Sequence, residues 1–535
     1  MEGGNSESGT NTFNNPWAGT YWYNLGKVGL TKEDGSLNVI KADNSYSESE
    51  MVSYAFRLNY TLLDRYMFTG TVRWDGSSKF RRGHRWGSFP SLALAWRMSE
   101  EKFIKDNLKW VSNLKLRLSY GVTGNNTGIS NYEWYQGIVS GYYYPFGASY
   151  VNGSYPDGIK DADITWEKSN EWNLGLDFGF LRNRIFGSVD VYRKTSKDLL
   201  FGVTLPLEVG GIQMTTNIGS VRNTGVEASV TGVIIQNKDW NWTVTANYSH
   251  NSNHIKEIDG TGNDFVSSKL FLGRGFNVQY GYQYGGVVSD REMTVPDNQA
   301  AVSHGFTPGS KVLERDYYYN VYGWTEGNPI VKDINGDGSI NENDKRVMRG
   351  DPAWIGNLST TLSYKGWDFS ATLYTKQHYW ISSAFLNRYC DMGDRGRGRL
   401  NMDYYIPAGT LIDCDGVNAD GTYINPKYQQ TTHYGNYPFP NNGGSNGGTN
   451  NSYYTDAIRY QNISFTKIKN ITLGYTFPKN WTSKFGCSTL RLYMTVTNPF
   501  VITGFKGFDP EWADASLKND GPSTTTWQFG ANIKF

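Results

Sequence analysis

Cysteine is scarce in this 535-residue chain: Cys390, Cys414 and Cys487 are the whole set, with no C-x-x-C pair. Three are too few for a disulfide framework, although Cys390 and Cys414 can either bridge within a loop in an oxidising compartment or stay free thiols. Net charge is nearly absent as well, with 51 Lys and Arg against 50 Asp and Glu, so the basic surplus that phosphate backbones demand is missing and nucleic acid is excluded as a partner. No run of about 18 apolar residues occurs, which excludes a transmembrane helix but says little against a β-barrel, whose signal per strand is far weaker. Helical periodicity is confined to short candidates at 99–106 and 481–485, so several helix-cored soluble domains are not expected despite the length. Residues 1–15 lack the charged-then-apolar pattern of a signal peptide, which predicts either a cytoplasmic protein or a missing beginning.

Signs of catalysis are equally thin. His84, His250, His254, His304, His378 and His433 show no H-E-x-x-H or comparable metal spacing. Gly443-Gly444-Ser445-Asn446-Gly447 matches the nucleophile-elbow pattern in letters only, because it lies in an Asn and Gly tract rather than between a strand and a helix. An enzyme is not expected.

What the chain does have is aromatic residues and a period of two. Tyr54, Phe56, Leu58 and Tyr60 alternate with Ala55, Arg57 and Asn59; Leu114, Leu116 and Leu118 with Lys115 and Arg117; Trp240, Trp242 and Val244 with Asn241 and Thr243. At the carboxyl end Trp527, Phe529, Ala531, Ile533 and Phe535 alternate with Gln528, Gly530, Asn532 and Lys534, which defines a two-faced strand. Connections alternate between short (63–65, 181–184, 236–239, 365–366, 478–488) and long (75–87, 124–165, 195–224, 251–357, 376–467, 498–523). Short turns at one end, long loops at the other and aromatics at strand ends are features of a membrane barrel. The fold class expected is all-β: an antiparallel up-and-down transmembrane β-barrel with long extracellular loops. In such a barrel Trp527, Phe529, Ile533 and Phe535 face lipid, while Arg57, Asn59, Lys115, Arg117, Asn241 and Asn247 face the lumen.

Several segments together resemble the barrel of the SusC/RagA-like TonB-linked outer-membrane transporters. They are Arg65-Tyr66-Met67-Phe68 through Trp74-Asp75-Gly76-Ser77-Ser78, Leu118-Ser119-Tyr120-Gly121-Val122-Thr123-Gly124-Asn125, and Thr165-Trp166-Glu167-Lys168 with Leu174-Gly175-Leu176-Asp177. Asn223-Thr224-Gly225-Val226-Glu227, Ile468-Lys469-Asn470-Ile471-Thr472-Leu473-Gly474-Tyr475 and Phe508-Asp509-Pro510-Glu511 belong to the same set. The resemblance implies a Gram-negative outer membrane, TonB-driven import of a large nutrient, oligosaccharide ahead of peptide, and a SusD-like surface lipoprotein over the extracellular loops. It implies that TonB acts through a plug region not found here, and that Trp527, Phe529, Ile533 and Phe535 form an insertion signal. About fourteen strands are legible against the roughly 22 of a plugged transporter, so a partial, carboxyl-terminal barrel portion is expected at 48–535, preceded at 1–47 by an irregular segment, an extracellular loop with a strand remnant.

Two further sets of residues carry chemistry. Asp333, Asn335, Asp337, Ser339 and Asp344 occupy positions one, three, five, seven and twelve of a calcium loop with Gly338 at the turn, although Asp344 stands where Glu is usual and flanking helices are not expected. No cofactor is required for transport, and a structural calcium is the one candidate; the competing reading is an Asx-rich turn that binds nothing. Tyr143, Tyr318, Trp324, Tyr404 and Tyr454 lie in aromatic, amide-rich loops suited to sugars or extended peptides, or else to packing those loops together. The alternative function is a secreted or surface β-protein that binds glycans or peptides without transport.

Overall fold

The computed structural model describes residues 2–8, 30–31, 37–38, 43–147, 149–205, 213–383, 402–439, 451–506, 509–512 and 524–535. Thirteen strands follow one another through one antiparallel sheet in chain order. They are β1 (Met51–Leu62), β2 (Tyr66–Ser77), β3 (Trp86–Arg97), β4 (Val111–Asn125), β5 (Glu167–Phe180), β6 (Ile185–Thr204) and β7 (Gln213–Gln236). The rest are β8 (Trp240–Glu257), β9 (Trp354–Tyr364), β10 (Trp367–Ser382), β11 (Tyr460–Thr476), β12 (Thr489–Thr503) and β13 (Thr526–Lys534).

Tight turns join consecutive strands at one end. Lys365 and Gly366 both have positive φ, 42° and 92°, the backbone of a two-residue hairpin whose twist matches its strands. Leu63 and Asp64 do the same at 53° and 54° without a glycine, a strained choice for L residues. Leu181, Arg182 and Asn183 turn in succession through the left-handed region, and Arg184 steadies that corner by donating to the carbonyls of Val233 and Ile234.

The chain divides into two compact units. In the first, comprising Met1–Phe178, Asp190–Thr224 and His254–Asp264, cross-strand register lines up Tyr60, Phe68, Leu94 and Leu118 on one face and Asn59, Thr69, Ala93 and Ser119 on the other. In the second, comprising Gly179–Val189, Gly225–Asn253 and Phe265–Phe535, register carries Trp242, Leu362, Phe369, Leu473, Met494 and Phe529 across six strands as one apolar row. Next to the tight turns Trp240, Tyr364, Trp367 and Tyr475 form an aromatic row, with ring centroids 4.0 Å apart for the first pair and 4.7 Å for the last. The opposite face repeats Thr243, Thr361, Ser370, Thr472, Thr495 and Gln528, with the Thr472 and Thr495 hydroxyls 2.9 Å apart.

Apolar rows on this sheet stay exposed or half-buried rather than forming a core: away from the terminal strands, Leu94 is 43% and Leu473 42% accessible. One buried cluster lies on the sheet, where Tyr379 and Ile381 of β10 meet Ile463 and Phe465 of β11, and the others draw mainly on the loops. Phe80, Phe89, Ile129, Ile164 and Trp166 form one in the first unit, and two more, around Tyr282 and Tyr317, lie in the second.

Two sequence expectations need adjusting. Residues 195–224 are not a long loop, because β6 runs to Thr204 and β7 starts at Gln213, giving strands of 20 and 24 residues. About 9–11 residues cross the hydrocarbon, so the outer parts of such strands need no apolar face, and their Thr, Ser, Lys and Asn residues hide the alternation. The second adjustment concerns helices. The expected ones appear as α1 (Lys102–Lys105) and α5 (Lys479–Thr482), but α2 (Gln299–Ser303), α3 (Glu314–Tyr322) and α4 (Asn451–Ala457) lie inside stretches read as loop. The tyrosine-rich α3 has modest intrinsic propensity; Glu314 and Asp316 in its first turn and a left-handed Gly323 at its end stabilise it.

Candidate functional site

The long connections β8–β9 and β10–β11 of the second unit meet in an aromatic assembly. Trp324 stacks on Tyr322 and Tyr318 with centroids 4.7 and 5.7 Å away. Tyr284 lies over Tyr437 at 6.0 Å and donates its hydroxyl to the Asn436 carbonyl at 2.7 Å. Buried Tyr282, Val288, Trp324, Ile330, Val331, Tyr454, Ala457 and Ile458 make the core of this assembly.

Of the five aromatics singled out from sequence, Tyr318, Trp324 and Tyr454 meet here, the last two with almost no surface left. Tyr404 is buried nearby in chain, its ring edge-on to Phe439 at 5.8 Å. Tyr143 stands apart in the first unit, 68% exposed on a hairpin formed by Ile138–Phe146 and Ser149–Pro156.

A group of polar contacts, from exposed Arg291 and Tyr434 to buried Tyr405, accompanies the assembly, and sequence inspection missed it. Arg291 lies over the Tyr434 ring at 3.9 Å, and the Tyr434 hydroxyl donates to Asp290 at 2.7 Å. Tyr405 donates to Glu326 at 2.7 Å, and Arg315 donates to the other oxygen of that carboxylate at 3.3 Å. Burial and the Glu326 hydrogen bond push the Tyr405 hydroxyl well above its ordinary pKa. Asp290 and Tyr434 are 144 residues apart in sequence, so no local spacing could have revealed the pair.

The Asp333–Asp344 segment folds as a closed turn. Asp344, fully buried, accepts backbone N–H bonds from Ile334 and Asn341 at 2.8 Å each. Asp333 accepts from Gly336 at 2.6 Å and from Gly338 at 2.8 Å, while Asp337 accepts from Ser339 at 2.8 Å and from the Asn335 side chain at 2.8 Å. Tyr322 donates to Asp333 at 2.9 Å, which ties the loop to α3; burial first, then that carboxylate, raises the tyrosine's pKa. Among the described residues no three His, Cys, Asp or Glu side chains converge as a metal-holding group.

Some motif residues of the resemblance sit at loop bases, others within strands such as Gly175 on β5 and Gly474 on β11. Gly124 and Gly87 lie under the Phe89 ring, which stands 2.1 and 2.4 Å from where a Cβ would be. Trp166 donates its indole N–H to the Arg85 carbonyl at 2.9 Å, and Glu167 accepts from Asn125 at 2.6 Å and from the Leu200 amide at 3.0 Å. Cys414 and Cys487 are free thiols, whereas Cys390 and the Gly443–Gly447 tract lie outside the described residues.

The model of the β-barrel of TonB-dependent receptor-like proteins matches residues 2–413. The chain belongs to the TonB-dependent receptor family. The TonB-dependent receptor SusC of Bacteroides thetaiotaomicron is 33% identical over 502 residues, covering 91% of this chain and 44% of that protein. TonB-dependent receptor P39 of Formosa agariphila is 29% identical, covering 98% of this chain and 49% of its own. The solved RagAB peptide transporter superposes with a TM-score of 0.64 at 23% identity, over 95% of this chain and 50% of that one, a likeness of fold. This TonB-dependent receptor thus spans about half the length of the curated relatives it matches. Membership bears out the SusC/RagA-like reading of the motifs, the barrel class and the outer membrane of a Gram-negative bacterium as location. The family consists of transporters, not enzymes.

Proposed function

We propose that the protein imports a large nutrient, oligosaccharide in the first instance, across the outer membrane with energy from TonB. One observation carries this reading: a sheet in which apolar rows such as Trp242 to Phe529 oppose hydroxyl and amide rows such as Thr243 to Gln528. Such a wall offers one face to hydrocarbon and the other to a hydrated path. Tyr143, exposed, would contact the cargo directly, whereas Tyr318, Trp324, Tyr404 and Tyr454 would act by holding the loops in shape. TonB would act through the family's plug region, and a SusD-like lipoprotein would cap the loops. Glycan is favoured because exposed rings flanked by hydroxyls and amides suit neutral sugars; the RagAB relative, a peptide transporter, makes peptide the other class.

The test is a deletion in the source organism, complemented by the intact gene and grown on purified oligosaccharides or on peptides as sole source. Loss on one oligosaccharide with normal growth on its monosaccharide supports the reading. Loss on peptides alone transfers the substrate class, and unchanged uptake of every large nutrient overturns import.

A further inference from the structure

Lys467 is the most deeply buried ammonium among the described residues, with a side chain 1% accessible. It sits on the polar face of β11: its register partner on β10 is Tyr374, followed by Asn357 on β9 and Asn247 on β8. Its two carboxylate partners come from the β12–β13 connection, Asp509 at 2.8 Å and Glu511 at 2.8 Å. Lys469, which the register skips on both sides as a bulge, reaches the same Glu511 at 2.5 and 2.7 Å and lies 5.2 Å from the Tyr374 ring centroid.

The same connection is seated at a second point. Phe505 packs into a cluster with Tyr379, Ile381, Ile463 and Phe465. The Lys506 amide donates to the Gln461 side chain at 3.2 Å, and the Glu511 amide donates to Asp509 at 2.9 Å. Lys467 and Asp509, with side chains 1% and 4% accessible, balance in charge, which so dry a pair requires, while Lys469 and Glu511 form the wetter pair beside them.

We propose that 503–506 and 509–512 of this connection are held against the polar wall by an electrostatic latch, with Lys467 as anchor and Lys469 as guide, and that releasing this strap uncovers the wall around Tyr374 and Phe465. The strap goes beyond the import reading and does not depend on it, because docking is measured on the protein without cargo.

The experiment is amide hydrogen exchange on the protein purified from outer membranes in detergent. Lys467→Met leaves the Asp509 carboxylate buried without its ammonium, and exchange at Phe505, Lys506, Asp509 and Glu511 rises at least tenfold while β12 keeps its protection. Lys467→Met with Asp509→Leu replaces the pair by apolar groups and leaves Lys469 with Glu511, so exchange returns to within about threefold of the native rate. Lys469→Met, at a site one-third exposed, has the smaller effect. Native exchange in Lys467→Met overturns the latch, as does equal acceleration along β12, or a double variant no slower than the single one.

Discussion

Arg491 on β12 reaches across β11 to Asp368 on β10, its Nε and Nη2 donating to the two carboxylate oxygens at 2.8 and 2.5 Å. The residue beneath the crossing is Gly474, where a Cβ would stand 2.6 Å from Nη2 and 2.7 Å from both oxygens. Arg117 on β4 makes the same crossing over β5 to Asp190 at 3.0 Å, above Gly175. In both, absence of a side chain on the middle strand lets a guanidinium clamp three strands together.

Gly474→Ala therefore displaces the pair rather than the backbone, since what the new methyl meets is side-chain ends. The loss expected is about 1–2 kcal/mol, that of a partly exposed charged hydrogen-bond pair. Heat-modifiability on gels measures it. If the clamp is the cause, adding Gly474→Ala to Arg491→Ala costs nothing further.

The two faces of β13 predict opposite responses to one charge. Phe529→Lys puts an ammonium on the apolar row beside Met494 and should cost about 2–4 kcal/mol if that row lies at mid-membrane, less near an interface. Gln528→Lys, beside Thr495 on the polar row, should assemble normally. Yield of folded protein in the outer membrane is the readout, and equal yields would remove the inside-out assignment.

How much of this was legible beforehand follows from how far each signal travels along the chain. Trp527, Phe529 and Ile533 announce their face because a strand repeats every two residues, and Lys365-Gly366 announces its turn by itself. Tyr318 and Trp324 were found as aromatics, but their mutual stacking depends on α3, which a run of three tyrosines conceals. Arg291 with Tyr434, and Lys467 with Asp509, join residues that only the folded loops bring together, so neither has a local pattern. The calcium-loop spacing was visible; that its carboxylates face backbone amides was not.

Alkali should loosen the loop assembly through Tyr322. Burial and Asp333 raise its pKa above the ordinary tyrosine value of about 10. The folded loop therefore holds the proton more tightly than the unfolded chain. Its contribution is complete below about pH 10 and is lost as pH climbs toward the folded pKa, with a slope of at most about 1.4 kcal/mol per pH unit. Tyr322→Phe should flatten that slope, as followed by near-ultraviolet circular dichroism between about pH 9 and 12.

Asp344 and Asp337 separate the two readings of the aspartate loop. Asp344 is buried and serves as acceptor for the half-buried Ile334 and Asn341 amides, so Asp344→Ala strands two donors and should cost about 2–3 kcal/mol locally with or without calcium. Asp337 is exposed and spans only its own turn; Asp337→Asn should leave the calcium-free protein nearly unchanged. An ion bound here would have to draw Asp333 and Asp337 away from the amides they now face, a cost that places affinity near the weak end, about 0.1–1 mM. Thermal unfolding with added calcium decides between them: a rise in midpoint that Asp337→Asn abolishes assigns the ion, and no rise at about 10 mM, ten times the weak limit, leaves a turn closed by hydrogen bonds alone.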